Sequence, residues 1–459
     1  MKVAFFSSEV FPFAKTGGLA DVSGALPQAL KKAGMEVKVF MPQYKDIKPA
    51  IQYDGYGLDK LGNNVEVVFI RNDAYYHRDY LYNTPKGDYA DNLERFSFFC
   101  RQSLEILRNM DFCPDIFHLN DWQTSILPLY LRFSNNSYFS QSRTLLTIHN
   151  LAYQGYFPLN KFSRLLLPPE AKDTLSIYNQ LNFLKSGIIT ATAVNTVSPS
   201  YAEEIKTQEY GCGLEKILQE NAHKLFGIIN AIDYQVWDPQ HDKFIYFPYA
   251  SDDEETKRKN KEALREEFGL EKNERMLIGM VARLTEQKGI DILSDALEKI
   301  LKEHQVIILG TGEEKYHKIL KSLYSHNQQN FSLHLKFDES LAHKIYAASD
   351  LFLIPSRFEP CGLSQMISFK YATIPLVHAT GGLKDTVKNY DFKNGKGDGF
   401  VFEEYSSSAL LEAIERACQL YKNKEEWHSL RRRVSQYNFS WSESARKYIE
   451  LYKKIIAGI

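Results

Sequence analysis

Two runs of this 459-residue chain set glycines beside cations in the order an anion site requires. Thr16-Gly17-Gly18-Leu19-Ala20-Asp21-Val22 follows the apolar run Val3 to Ser7 and opens a helix-like segment. Thr380-Gly381-Gly382-Leu383-Lys384-Asp385-Thr386-Val387 follows Ile374 to His378 in the same way. Backbone N–H groups at a helix start, aligned with the helix dipole, favour negative charge. Taken singly, each copy also reads as glycine permitting a tight strand-to-helix turn. Taken as a pair, one in each half and with Lys15 directly before the first, they predict a phosphate-sized anion site built by two turns facing each other across a cleft.

Further polar residues cluster where other strand-like runs end. Arg283-Leu284-Thr285-Glu286-Gln287-Lys288-Gly289 follows Met276 to Val281, so a guanidinium and an ammonium stand at a strand's carboxyl end, a geometry suited to a diphosphate. Pro355-Ser356-Arg357-Phe358-Glu359-Pro360-Cys361-Gly362-Leu363-Ser364-Gln365 joins a strand to a helix. Glu359 there suits hydroxyl groups, and the Gly362, Leu363 and Ser364 amides suit phosphate. Cys361 has no histidine nearby in sequence to activate it. His118-Leu119-Asn120-Asp121-Trp122 and Thr147-Ile148-His149-Asn150 end two strands in the first half. Two polar strand ends converging on one cleft predict functional rather than structural histidines. Tyr75-Tyr76-His77-Arg78-Asp79-Tyr80-Leu81-Tyr82 lies in a long loop whose aromatics suit flat sugar faces or, equally, loop packing.

These residues need a scaffold of alternating strands and helices, and the hydrophobic pattern supplies one. Strands are predicted near Val3 to Ser7, Glu36 to Phe40, Val65 to Arg71, Ile116 to Leu119, Leu145 to Ile148 and Ala193 to Val197, with helices near Leu19 to Ala33, Asp91 to Met110, Trp122 to Phe133 and Tyr201 to Thr207. The second half repeats the alternation with strands at Met276 to Val281, Gln305 to Leu309, Leu333 to Phe337, Leu351 to Ile354 and Ile374 to His378. That order predicts an α/β chain of two doubly wound parallel sheets. A composition shift near Phe244 to Ser251, ahead of the charged run Asp252 to Glu267, sets the expected domains at residues 1–245 and 246–440, with 441–459 a closing helix. Charged residues make up 25%, with 56 Lys and Arg against 57 Asp and Glu, so no bulk charge draws nucleic acid or a membrane surface, and a few placed cations must hold any anion. Five scattered cysteines without metal-ligand spacing, no apolar run near the ~18 residues of a membrane span, and a strand starting directly after Met1 and Lys2 predict a cytoplasmic protein without a leader.

The ordered motifs resemble the bacterial glycogen synthase and plant starch synthase family. The resemblance rests on Lys15-Thr16-Gly17-Gly18-Leu19, His118-x-Asn120-Asp121-Trp122, His149-Asn150-Leu151-Ala152-Tyr153-Gln154-Gly155, Asn230-x-x-Asp233 with Trp237-x-Pro239, Arg283-Leu284-Thr285-x-Gln287-Lys288-Gly289 and Ser356-Arg357-Phe358-Glu359-Pro360-Cys361-Gly362-Leu363, and runs to Phe439-Ser440-Trp441. It implies a GT-B fold, two Rossmann-like domains around a cleft with the last helix returning to the first domain. It also implies transfer of glucose, with retention, from ADP-glucose to the non-reducing 4-hydroxyl of an α-1,4-glucan acceptor. By the same resemblance Asp121, His149, Asn230, Glu359 and Cys361 surround the donor glucose, Asp21 is a nucleotide-side contact and Tyr89 an acceptor-side one. No Asp-x-Asp stands beside a sugar site, so Arg283, Lys288, Lys15 and the glycine-turn amides are expected to neutralise the leaving diphosphate without a metal, and no pyridoxal phosphate is expected.

Three residues depart from the family pattern: Ala231 stands where glycine is common, Ser364 where threonine is frequent, and Phe337 where a tyrosine can stack on the base. They leave base preference open. Rival readings are a UDP-glucose-dependent or sucrose-type synthase, a phosphorylase, which needs a pyridoxal-bearing lysine, and a glucan-binding scaffold with a vestigial donor site. A dehydrogenase is disfavoured because neither glycine turn reads Gly-x-Gly-x-x-Gly.

Overall fold

Runs such as Val3-Ala4-Phe5-Phe6 and Val67-Val68-Phe69-Ile70 are apolar at every position and fully buried, the mark of strands covered on both faces. The computed structural model describes residues 1–134, 137–250 and 252–458. Ser251, the last residue of the expected boundary segment, and Ile459, the last of the expected closing helix, lie outside the described residues.

The chain forms two compact units, Met1–Asn230 with Trp441–Ile459, and Ala231–Ser440. Among the described residues the first unit holds a nine-stranded sheet ordered Leu225–Gly227, Ala193–Thr196, Arg143–Ile148, Ile116–Asn120, Lys2–Phe6, Glu36–Pro42, Val65–Ile70, Tyr56–Leu61, Ile51–Gln52. Its first seven strands in that order run parallel, with Val3 opposite both Val37 and Ile116 and Asn120 opposite Thr147. The two edge strands beyond Val65–Ile70 are antiparallel additions that the sequence pattern does not mark. The second unit holds a six-stranded sheet over the same described residues, all parallel, ordered Phe331–His334, Gln305–Leu309, Leu277–Val281, Leu351–Ile354, Ile374–His378, Phe400–Phe402. Numbered by sequence, the parallel strands of both units follow the order 3-2-1-4-5-6, the first unit adding a seventh. This is the doubly wound arrangement of dinucleotide-binding domains.

The units divide at Asn230 and Ala231, not at residue 245. Side-chain contacts give the reason. Trp237 stacks on His343 with ring centroids 4.0 Å apart, and the Asp242 carboxylate lies 2.7 Å from His343 Nδ1 and accepts the Tyr371 hydroxyl at 2.5 Å, so this segment belongs to the second unit's core. The charge shift near residue 252 marks only the start of the helix Glu254–Glu267, capped by Asp253. Two expected elements also shorten. Trp122 to Ile126 forms tight turns before the helix Leu127–Arg132, and the strand expected to reach Phe337 stops at His334, leaving the Phe337 ring 88% exposed. No helix among the described residues is long and apolar enough to cross a membrane.

The helix Trp441–Ala457 packs on the helix Gly18–Lys32 and locks into the first sheet through polar contacts. Tyr452 Oη lies 2.6 Å from His118 Nδ1, Tyr448 Oη accepts Asn195 Nδ2 at 3.2 Å, and Ser444 Oγ donates to the Ile229 carbonyl at 3.1 Å. His118 is wholly buried, its other nitrogen 2.8 Å from Thr147 Oγ1. Replacing Tyr452 by Phe strands one buried imidazole nitrogen, at a cost of about 1–3 kcal/mol. A lowered midpoint in denaturant unfolding with an unchanged slope is the expected result.

Candidate active site

Where the strand order of a parallel sheet reverses, adjacent loops leave in opposite directions and open a crevice outside the carboxyl ends. In the first unit the reversal lies between Lys2–Phe6 and Ile116–Asn120. The loop after the first strand carries Glu9 and the glycine turn; the loop after the second carries Asp121. Glu9 is buried, and its carboxylate accepts the Thr16 N–H at 2.5 Å, the Gly17 N–H at 3.2 Å, Thr16 Oγ1 at 2.6 Å and the Tyr82 hydroxyl at 2.7 Å. Two amides expected to meet an external anion are therefore held by an internal one. Lys15 likewise pairs with Asp21 at 2.6 Å. What remains open is space: a Cβ added at Gly17 or Gly18 would meet nothing within 4 Å. Gly17 is extended and neither glycine has a positive φ, so packing and backbone geometry do not demand glycine there. The open space leaves room for an incoming group.

Asp121 adopts a left-handed backbone, φ 56°, uncommon for a residue other than glycine. The turn sends its own N–H to the Thr147 carbonyl at 2.9 Å and its Oδ1 to the N–H of His149 at 2.7 Å. His149 Nε2 lies 2.9 Å from Asn120 Oδ1, and Asn120 Nδ2 donates to the Phe6 carbonyl at 2.8 Å. The ends of three neighbouring strands are thus tied by side chains. Burial pushes the Asp121 carboxyl up to about 7, against the opposing pull of the His149 and Asn150 amides, and pushes His149 down to about 3. His149 is a neutral imidazole at neutral pH, while Asp121 stands near its midpoint. His118, expected beside them as a functional group, is instead the structural anchor of the closing helix, and burial also pushes it down to about 3.

In the second unit the reversal lies between Leu277–Val281 and Leu351–Ile354, and there a cavity of about 150 Å³ opens, lined among others by Ala282, Lys288, Ser356, Glu359 and Ser364. Lys288 Nζ lies 2.5 Å from Glu359 Oε2, which also accepts Ser356 Oγ at 2.9 Å, and both charged side chains are mostly buried. Gly289 sets this loop: its φ is 75°, and a Cβ there would lie 2.0 Å from the Pro355 carbonyl oxygen. Arg357 faces elsewhere, paired with Glu286 and Asp291 at 3.0 and 3.2 Å and lying over the Tyr405 ring. Arg283 is exposed, and among the described residues its guanidinium has no ion-pair or hydrogen-bond partner.

The second glycine turn does not mirror the first. It follows the fifth strand of its sheet rather than the first, the Gly382 N–H donates to the Glu359 carbonyl at 3.1 Å, and a Cβ at Gly382 would lie 2.0 Å from the Cys361 carbonyl oxygen. Its work is to clamp the loop that presents Glu359. Cys361 is buried, its carbonyl accepting Gln365 Nε2 at 3.1 Å. Gly362, with φ 73°, and Leu363 lead into the helix Ser364–Lys370. Asn230, the last residue of its unit before the division, is buried with Oδ1 lacking a hydrogen-bond partner among the described residues. Tyr89 is half-buried between the guanidinium groups of Arg78 and Arg95, 4.7 and 5.0 Å from its ring centre. Much of the aromatic loop packs inward: Tyr76 is fully buried with its hydroxyl on the Arg95 carbonyl, and Tyr82 serves Glu9. Glu9 was not singled out from sequence; an acidic residue a few positions ahead of a glycine turn was the available signal. Among the described residues no group of three His, Cys, Asp or Glu is placed to hold a metal ion.

Comparison with known proteins places these features in a family. Residues 2–220 match the starch synthase catalytic domain and residues 260–440 match the glycosyl transferases group 1. The chain is 42% identical to a glycogen synthase of Thermotoga petrophila, covering 100% of both, and 43% identical to glycogen synthase 2 of Geobacter sulfurreducens, covering 99% and 98%. Among solved structures, the catalytic domain of starch synthase IV from Arabidopsis thaliana, bound to ADP and acarbose, superposes with a TM-score of 0.87 at 33% identity, covering 99% of each chain.

The site makes two predictions about the folded chain. His118 and His149 stay neutral when folded, so their contribution to stability is fully present above about pH 6.5 and is lost as pH falls toward 3. Asp121 has the opposite sign: from pH 3.8 up to about 7 the folded carboxyl keeps a proton that the unfolded one has released, and this stabilisation is lost as pH rises through 7. Thermal unfolding of Asp121→Asn should therefore give a higher Tm than the unsubstituted protein at about pH 8 and a steeper fall on acidification below about pH 6. The two glycine turns should also separate. Gly382→Ala is expected to destabilise by about 2 kcal/mol or more, whereas Gly18→Ala should change stability by less than about 0.5 kcal/mol while raising KM for the group that enters its open space.

Proposed function

The chain belongs to the glycogen and starch synthase family of glycosyltransferases, and from that premise we propose that it transfers glucose, with retention, from ADP-glucose to the non-reducing 4-hydroxyl of an α-1,4-glucan. It is a GT-B hexosyltransferase that makes glucan from a nucleotide-sugar donor. The observation that carries the proposal for the donor site is the cation pair at the second sheet's reversal: Arg283 with a free guanidinium among the described residues, and Lys288 bordering a cavity next to Glu359. A leaving nucleoside diphosphate develops charge that such fixed cations stabilise in a partly dry site. The Phe337 ring, 88% exposed, is available to stack on a base.

In the second unit Glu359 is assigned hydroxyls of the donor glucose; in the first unit, taken by itself, Asn230 has an Oδ1 unpartnered among the described residues and suited to a hydroxyl, and the open space at Gly17 and Gly18 beside Lys15 and Asp21 suits a phosphate group. Cys361, Gly362, Leu363 and Ser364 complete the donor contacts, and Tyr89 meets the glucan. Among the described residues no carboxylate is assigned the part of nucleophile in this reading, and the displacement is taken to run on one face of the sugar. The bond from C1 to the phosphate oxygen breaks, the acceptor oxygen bonds C1 from the same side, and the acceptor proton passes to the departing phosphate. Asp121, in its ionised fraction, and the neutral His149 stabilise the cation-like sugar between those events. The cations serve in place of a metal, no pyridoxal phosphate takes part, and the enzyme works in the cytoplasm.

Purified protein supplied with glycogen, chelator and ADP-glucose should release ADP and label glucan with new α-1,4 linkages, and with UDP-glucose in its place should release UDP more slowly. Arg283→Ala should lower kcat by about 100- to 1,000-fold. Faster turnover of UDP-glucose, inhibition by chelator or near-normal turnover by Arg283→Ala would each count against the proposal.

A further inference from the structure

The ammonium proposed to hold the donor diphosphate and the carboxylate proposed to hold the donor sugar are bonded to each other. Lys288 Nζ lies 2.5 Å from Glu359 Oε2, with side-chain exposures of 19% and 11%. The loops that carry them are fixed, while among the described residues the Lys288 ammonium is held by Glu359 alone and can exchange that partner. Glu359 is fixed by Ser356 Oγ on the same oxygen and by the Gly382 amide on its carbonyl, and the backbone following Lys288 is set by Gly289, whose close approach to Pro355 excludes any side chain. Both groups border the same cavity at the sheet's reversal.

Resting on the donor reading above, we propose that the Lys288–Glu359 pair is a reciprocal latch that distinguishes the intact sugar nucleotide from the nucleoside diphosphate left after transfer. A diphosphate that draws Lys288 away uncovers a mostly buried carboxylate. Leaving such a charge without a partner is costly. The intact donor offsets that cost because its sugar hydroxyls take the place of the ammonium at Glu359. The bare diphosphate brings no hydroxyls, so it binds against an uncompensated carboxylate, and return of Lys288 to Glu359 favours its departure. The same two residues thereby couple recognition of phosphate to recognition of sugar, and they weaken product inhibition without a separate regulatory site. Arg283, outside the pair, supplies diphosphate attraction common to donor and product.

Calorimetric titration without acceptor tests the latch through its signs. Glu359→Gln removes the charge and keeps the shape, so ADP should bind about tenfold more tightly while ADP-glucose binds at least tenfold more weakly; Glu359→Ala should give the same pair of signs. AMP, which lacks the second phosphate, should bind equally to all three proteins. If both ADP and ADP-glucose tighten, Glu359 acts by simple repulsion and the latch is wrong. If ADP affinity is unchanged and only ADP-glucose weakens, Glu359 is a sugar contact alone and the latch is again wrong. UDP and UDP-glucose run in parallel keep the two ideas apart. Preference for the uridine pair overturns the adenine donor while leaving the latch to be judged on the same signs, and failure of the unsubstituted protein to bind any of the four overturns both.

Discussion

A parallel sheet ends its strands with backbone groups that have no neighbour to pair with, and satisfying them at the point where strand order reverses is the constraint on which both sites depend. Polar side chains must be present there for folding alone. In the first unit Asn120 closes on the Phe6 carbonyl, Asp121 closes on the His149 amide, and Asn120 holds the His149 ring. In the second, Gly382 closes on the Glu359 carbonyl and Ser356 on its carboxylate. The residues that finish the sheets are the ones proposed to carry chemistry, and side-chain contacts tie their positions to the strands behind them.

Charge in these crevices is largely balanced before any ligand arrives. Glu9 occupies amides of the glycine turn, Lys15 pairs with Asp21, and Lys288 pairs with Glu359. Internal partners hold each group in place and limit the desolvation cost of keeping charge in a concave site. Under the proposed function, ligand binding at Lys288 and Glu359 is an exchange of partners, with Arg283 the cation that needs none. A glucan synthase must bind a dianionic donor and release a diphosphate that ionises further at its freed terminal phosphate, so charge alone favours the product, and under the proposal above the sugar hydroxyls at Glu359 are what favours the donor.

The two Thr-Gly-Gly-Leu copies show how little a tetrapeptide determines by itself. One follows the first strand of its sheet, where its glycines face open space; the other follows the fifth, where a glycine is wedged against the Cys361 carbonyl. The true internal correspondence is topological. In the second unit the position after the first strand belongs to Arg283–Gly289, which shares no sequence with Lys15–Leu19 yet occupies the equivalent place beside the reversal.

The amino-acid sequence by itself determined the alternation of elements, because strands buried on both faces must be apolar throughout and helices must show one apolar side. It also determined the residue types at the strand ends, and the ordered motifs pointed to the family. Only the tertiary structure decided partners. That His118 anchors the last helix rather than meeting substrate, that Lys288 lies on Glu359, and that residues 231–245 join the second unit through Trp237 and Asp242 all follow from contacts between segments far apart in the chain. Local pattern records which face of an element is buried. It carries no record of which distant side chain will complete a buried charge or hydrogen bond, since that is settled by the order in which the strands are laid side by side.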